Sequence, residues 1–233
     1  MKFSCSRQEL SEALNNVTRA VAAKTTHPAM EGVLIVAEDD RLTLSCYNME
    51  LGITTYMAAR IVENGSIVLN AKLFFDMVRR LASEKIEIES DDRFLTKIRG
   101  GAAEYNIIGI EAEEFPQVPS VDEKINFTIK EETLKSMIDQ TIFAVAVNDF
   151  KPVHTGSKFI IKDHVLSVVS VDGFRLAIRQ EQVSYGDELD FIVPGKTLSE
   201  VSKLLEGEED VLVALSQKHI IFRVGSYDVV SRL

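Results

Sequence analysis

The chain has 233 residues, enough for one large domain or two of ordinary size. Its 45% hydrophobic and 27% charged residues are the balance of a soluble globular protein. A net charge of -10 argues against a protein that wraps nucleic acid with its whole surface, but not against one basic face on an acidic body. No apolar run approaches the ~18 residues of a membrane span.

In chain order, MKFSCSRQEL lacks the apolar core and cleavage site of a signal peptide. Residues 3–5 form a short extended stretch. A helix is expected over residues 7–19, where Leu10, Ala13, Leu14 and Val17 recur at helical spacing. Strands follow at 33–37, 41–46 and 51–58, with Asp39-Asp40 and Asn48 in the turns. Cys5 and Cys46 fall in alternating apolar stretches, as reduced packing residues of a cytoplasmic protein do. The pattern then repeats. Residues 67–69 are extended, Asn70 can cap a helix over 72–81 with Leu73, Phe74, Met77, Val78 and Leu81 as its apolar set, and strands follow at 85–89, 95–99 and 104–110. After two prolines in PQVPSVDEK (116–124), helices are expected at 131–143 and 196–205, the second started by Pro194-Gly195. Strands are expected at 158–162, 165–171, 175–183, 211–214, 220–224 and 227–233.

A shift of 124 residues sets Phe3 on Phe127, Leu10 on Leu134, Pro28 on Pro152, Gly32 on Gly156, Leu42 on Leu166 and Lys72 on Lys196. Apolar positions, a proline and a glycine held in one register indicate two copies of one domain, residues 1–120 and 121–233. A weaker shift of 64 places Phe3 on Ile67 and Leu10 on Phe74, so each copy is itself doubled. The fold class is therefore α+β: each domain is a duplicated strand-helix-three-strand unit with two helices packed on antiparallel sheet. Residue 233 corresponds to position 109 of the first copy, which runs on through Glu113-Glu114-Phe115-Pro116. On this reading the second copy is incomplete at its C-terminus.

Two features bear on function. Lys72, Arg79 and Arg80 stand against Asp76 on one helix, and Lys196 and Lys203 against Glu200 on its repeat partner. Lys24 lies in a loop with Thr25 and Thr26. A solvated helix face accounts for any one of these helices, whereas a positive charge repeated at equivalent points is what a phosphate-tracking face requires. The second feature is the VVSVDGFRLAI stretch (168–178), where Asp172-Gly173 forms a turn that carries Phe174 and Arg175. That pair reads either as a binding surface or as a packed hairpin end. No phosphate-binding glycine loop, metal-spaced histidine cluster or nucleophile elbow is present, so no catalytic residue, metal or cofactor is assigned. An α+β enzyme with a site between the copies and a generic interaction scaffold are the alternatives.

MKF, LNNVTRAV, NAKLFFDMVRRL, EEFPQVP and SVDGFRLAI together resemble the bacterial DNA polymerase III beta subunit, the sliding clamp, over essentially all 233 residues. The resemblance implies the DNA-clamp fold with a third domain absent from this sequence, and a homodimeric ring, when full length, around double-stranded DNA bound without sequence preference. It implies a non-catalytic processivity subunit that tethers the catalytic subunit of DNA polymerase III and docks the clamp loader and repair proteins through clamp-binding motifs. DNA would meet Lys24, Lys72, Arg79, Arg80, Lys196 and Lys203. The partner-peptide wall falls on His154, Val171, Gly173, Phe174, Arg175 and Leu176. His154 stands where the family usually has an apolar residue, and Val171 where it commonly has threonine.

Overall fold

The computed structural model describes residues 1–22, 25–147 and 151–233. They form two compact units, Met1–Val118 and Pro119–Leu233.

In the first unit, strand β1 (Lys2–Ser6) leads into helix α1 (Arg7–Val17), capped by the Ser6 hydroxyl accepting from the Glu9 N–H at 3.3 Å. A 3₁₀ turn over Thr18–Ala20 ends the helix before the expected residue 19. Strands β2 (Gly32–Glu38), β3 (Arg41–Tyr47) and β4 (Leu51–Ala58) follow as a meander. Asp39 and Asp40 make the first turn at φ 50° and 57°, the left-handed pair that suits a right-twisted hairpin. The second half comprises β6 (Gly65–Asn70), α2 (Ala71–Arg80), β7 (Lys85–Ser90), β8 (Leu95–Gly100) and β9 (Ala103–Ile108). The Asn70 side chain caps α2, accepting from the Leu73 N–H at 3.0 Å. Between the halves lies a strand that periodicity does not predict, β5 (Arg60–Glu63), paired with β1.

The second unit runs β10 (Ile125–Lys130), α3 (Glu131–Asp139), β11 (Gly156–Lys162), β12 (Val165–Val171), β13 (Leu176–Gln182), β14 (Leu189–Pro194), α4 (Gly195–Ser202), β15 (Asp210–Leu215), β16 (His219–Val224) and β17 (Tyr227–Arg232). The repeat register is close. β2 and β11, β3 and β12, β6 and β14, β8 and β16, and β9 and β17 begin 124 residues apart. Both long helices of the second unit stop early: α3 ends at Asp139 and α4 at Ser202. Thr141 explains the first, because its hydroxyl donates back to the Met137 carbonyl at 2.7 Å and the chain turns into a 3₁₀ segment over Ile142–Ala144.

The strict strand-helix-three-strand unit therefore holds for three of the four halves and gains β5 in the first. The halves are also interwoven. β1 joins the other half's meander, giving the order β5-β1-β7-β8-β9, while β6 pairs with β2 beside β3 and β4. The second unit repeats the exchange as β10-β15-β16-β17 and β13-β12-β11-β14. Each of these pairings is antiparallel. Neither half can complete its sheet alone, so each unit folds as a whole.

Helices α1 and α2 pack on each other, as do α3 and α4, with their apolar faces inward. Leu10, Leu14 and Val17 of α1 and Phe74 and Val78 of α2 are fully buried beside Ile35, Leu44 and Ile53. Leu134, Ile138, Leu198 and Val201 do the same beside Phe159 and Val168. Leu73 departs from its expected core role: it is 46% exposed, because Ala71, Phe74 and Val78 already fill the buried arc of α2. Cys5 and Cys46 are free thiols; burial pushes Cys5 up to about 12 and raises Cys46 as well, so both stay protonated.

Candidate functional site

Between β12 and β13 the Asp172 carboxylate organises the turn. One oxygen accepts from the N–H groups of Phe174 and Arg175, each at 3.0 Å. The other accepts from the Arg175 guanidinium at 2.8 Å. The Phe174 N–H foremost, then the Arg175 N–H and guanidinium, hold the Asp172 carboxyl below the ordinary carboxylate range. Gly173 sits at φ +93° with open space where a Cβ would be. A buried hydroxyl pair, Ser157 and Ser170 at 2.7 Å, ties β11 to β12 just before the turn.

The first unit has the same turn. The Asn48 side-chain oxygen accepts from the N–H groups of Glu50 at 3.1 Å and Leu51 at 2.9 Å, and Met49 takes the left-handed position at φ +72°. Backbone geometry is thus common to both copies, and the difference between them lies in the side chains.

With its backbone hydrogen-bonded locally, the turn projects Phe174 fully into solvent, 100% exposed. A groove of about 420 Å³ opens beside it, lined by Ala146, Val147, Lys151, His154, Asp172, Gly173 and Phe174. His154 reaches it from a 3₁₀ turn, Pro152–His154, whose backbone is fixed by the Ala146 N–H donating to the His154 carbonyl at 2.8 Å. Of the six expected peptide-wall residues, the structure brings His154, Gly173 and Phe174 to this groove. Val171 and Arg175 are not among its lining residues, and neither is Leu176. Leu176 faces solvent at the start of β13, 61% exposed, with Ile178 exposed after it. Arg175 turns away, its guanidinium over the Phe143 ring at 5.6 Å and paired with Asp172.

Sequence reasoning missed Lys151, Val147 and Phe143. Phe143 fits a helical pattern running to that residue, and the early end of α3 is what turns it outward. The one signal was Thr141, which bonds back to the preceding turn as readily as it continues a helix.

The helix cations form a second set. Lys72, Arg79 and Arg80 are exposed on α2, and Lys196 on α4 and Lys203 just after it are exposed too. Arg79 pairs with Asp76 at 2.9 Å and lies over the Phe75 ring, and Lys203 pairs with Glu200 at 2.8 Å. These two i,i+3 pairs occupy equivalent repeat positions. Lys72, Arg80 and Lys196 have no carboxylate partner among the described residues. Lys24 lies outside the described residues. No group of histidine, cysteine, aspartate and glutamate suited to a metal occurs among the described residues, and no helix there is long and apolar enough to cross a membrane.

Comparison with known proteins places both units. The family model of the DNA polymerase III beta subunit N-terminal domain matches residues 1–119, and that of its central domain matches residues 128–233. A beta sliding clamp of Halalkalibacterium halodurans is 34% identical over 246 residues, covering 100% of this chain and 65% of that protein. The crystal structure of a Bacillus subtilis DNA polymerase sliding clamp superposes with a TM-score of 0.97 at 32% identity, covering 100% of this chain and 64% of that one. A Pseudomonas aeruginosa sliding clamp bound to griselimycin superposes with a TM-score of 0.95 at 27% identity and the same coverage. The chain thus spans just under two thirds of the length of these relatives. Two units in the order N-terminal then central, each with the clamp fold, carry the conclusion: the chain belongs to the DNA polymerase III beta subunit family.

Proposed function

We propose that these residues are the first two domains, 1–120 and 121–233, of a non-catalytic DNA sliding clamp of the cytoplasm. With a third domain beyond them, the whole protein forms a homodimeric ring around double-stranded DNA. The ring holds the catalytic subunit of DNA polymerase III on its template and is placed there by a clamp loader. The observation that carries this reading is the ordered match of both units to the family. The exposed helix cations support it. A closed ring needs no tight grip on DNA, only enough phosphate attraction to centre the duplex while it slides. Tethering then keeps a bound polymerase at high effective concentration near the primer end.

We also assign partner docking to the groove beside Phe174, where a short hydrophobic peptide motif would meet an exposed aromatic on a locally fixed turn. The griselimycin-bound Pseudomonas structure supports a ligand-accepting surface in this family. His154 and Lys151 give this chain's groove polar groups beside the apolar wall.

The DNA-facing assignment has a direct test. Reversing Lys72, Arg79 and Arg80 together to glutamate in the full-length protein is expected to weaken duplex association. It should also lower the slope of log K against log salt by about 0.9 for each phosphate that is no longer neutralised. Binding measured by anisotropy across a salt series reads both. An unchanged slope would remove these three residues from the DNA face.

A further inference from the structure

The first unit has one strand that its repeat partner lacks, and that strand reshapes the surface beside it. β5 lies along β1 and carries exposed Arg60 and Val62. Together with β1, β7 and β8 it borders a hollow of about 240 Å³. Arg60 and Val62 form one wall, and Lys85, Glu87, Lys97 and Arg99 line the other. Ser4 lies between them, paired with Arg60 on one side and Glu87 on the other; its small side chain leaves the depth.

The charges there do not cancel. Glu89 is already shared by Lys2 at 3.1 Å and Arg99 at 3.6 Å, and Arg99 also holds Glu104 at 2.8 Å. Arg60, Lys85 and Lys97 form no salt bridge among the described residues, although Lys97 stands across from Glu89. Five cations and two carboxylates line the hollow. The unit around it is acidic, with 13 Lys and Arg against 18 Asp and Glu over residues 1–118. A local positive hollow on an acidic body selects by charge.

We propose that this hollow docks a short acidic segment of a protein partner. Its carboxylates would meet Arg60, Lys85 and Lys97, and an apolar side chain would rest on Val62. The apolar wall favours a peptide over a nucleic acid, whose phosphodiester chain offers nothing to Val62, and the size of the hollow suits side chains.

The test titrates a labelled peptide of about eight alternating glutamate and leucine residues with the whole chain, followed by anisotropy, beside its glutamine counterpart. The glutamate peptide is expected to bind saturably at one site, and Arg60→Glu with Lys97→Glu to weaken it about tenfold or more. Lys218→Glu, on a hairpin turn of the second unit, should leave binding unchanged, and Glu87→Gln should tighten it. Arg60 and Lys97 form no salt bridge among the described residues, so thermal melts near the parent's would show that the double variant folds; Arg60→Gln with Lys97→Gln, which sets no new carboxylate opposite Glu89, gives the same binding test should the reversal melt early. Failure to saturate, equal binding of the glutamine peptide, insensitivity to the double reversal, or equally effective displacement by a single-stranded oligonucleotide would each overturn the proposal.

Discussion

Phe174→Ala in the full-length protein is expected to weaken binding of a polymerase clamp-binding peptide on the order of a hundredfold, while leaving the melting temperature unchanged. The two halves of that expectation have different sources. Phe174 is fully exposed and its backbone is held by Asp172, so truncating the ring removes no packing from the fold. A large apolar ring set on a rigid turn beside a groove is, on the other hand, the kind of anchor whose truncation costs about 2–4 kcal/mol of binding. Calorimetric titration with the peptide, alongside a thermal melt, separates the two. Affinity within about twofold of the parent would take Phe174 out of the docking surface. A lowered melting temperature would contradict its placement in solvent.

The second large effect is structural. Gly156 begins β11, and a Cβ there would stand 2.5 Å from the Val193 carbonyl oxygen and 2.8 Å from the Ile192 side chain on β14. The obstacle is backbone, so it cannot swing aside; β11 and β14 would have to part. Gly156→Ala is therefore expected to destabilise the second unit by about 3 kcal/mol, the upper range of overpacking, or roughly 10 °C in melting temperature for a unit of this size. Gly173→Ala gives the contrast. Its φ is +93° but nothing lies within 4 Å of the new Cβ, and the equivalent Met49 already adopts a left-handed conformation. Only the backbone term remains, about 1 kcal/mol. Differential scanning calorimetry of both variants decides. Equal effects would mean that conformation, and not the close approach of β11 and β14, is what requires Gly156.

That contrast bears on how much of the molecule was legible in its sequence. The repeat was legible because it rests on residues with a steric reason to recur. Gly32 and Gly156 both face positions where a Cβ would meet the neighbouring strand at under 3 Å. The exchange of β1 and β6 between half-units was not legible, because it is a non-local pairing that leaves no mark on periodicity. β5 was hidden for another reason: four residues, RIVE, are too few to show alternation, and the second copy has no counterpart to align with it. The end of α3 was overrun because Phe143 continues the helical spacing past the Thr141 hydrogen bond that stops the helix. At the candidate site, Asp172, Gly173 and Phe174 were readable from turn chemistry. Lys151 and Val147 were not, since no local pattern links them to a turn some twenty residues on, and only the fold sets them in the groove beside Phe174.

Topological closure of the ring proposed for the whole protein can be measured on circular DNA. The full-length protein is loaded by a clamp loader onto nicked circular DNA, isolated by gel filtration, and the circle is then cut once by a restriction enzyme. A closed ring is expected to stay on the circle and to be lost from the linear DNA as it slides off the ends. Equal retention on circular and linear DNA would show that the protein grips DNA by contact alone and is not a sliding ring.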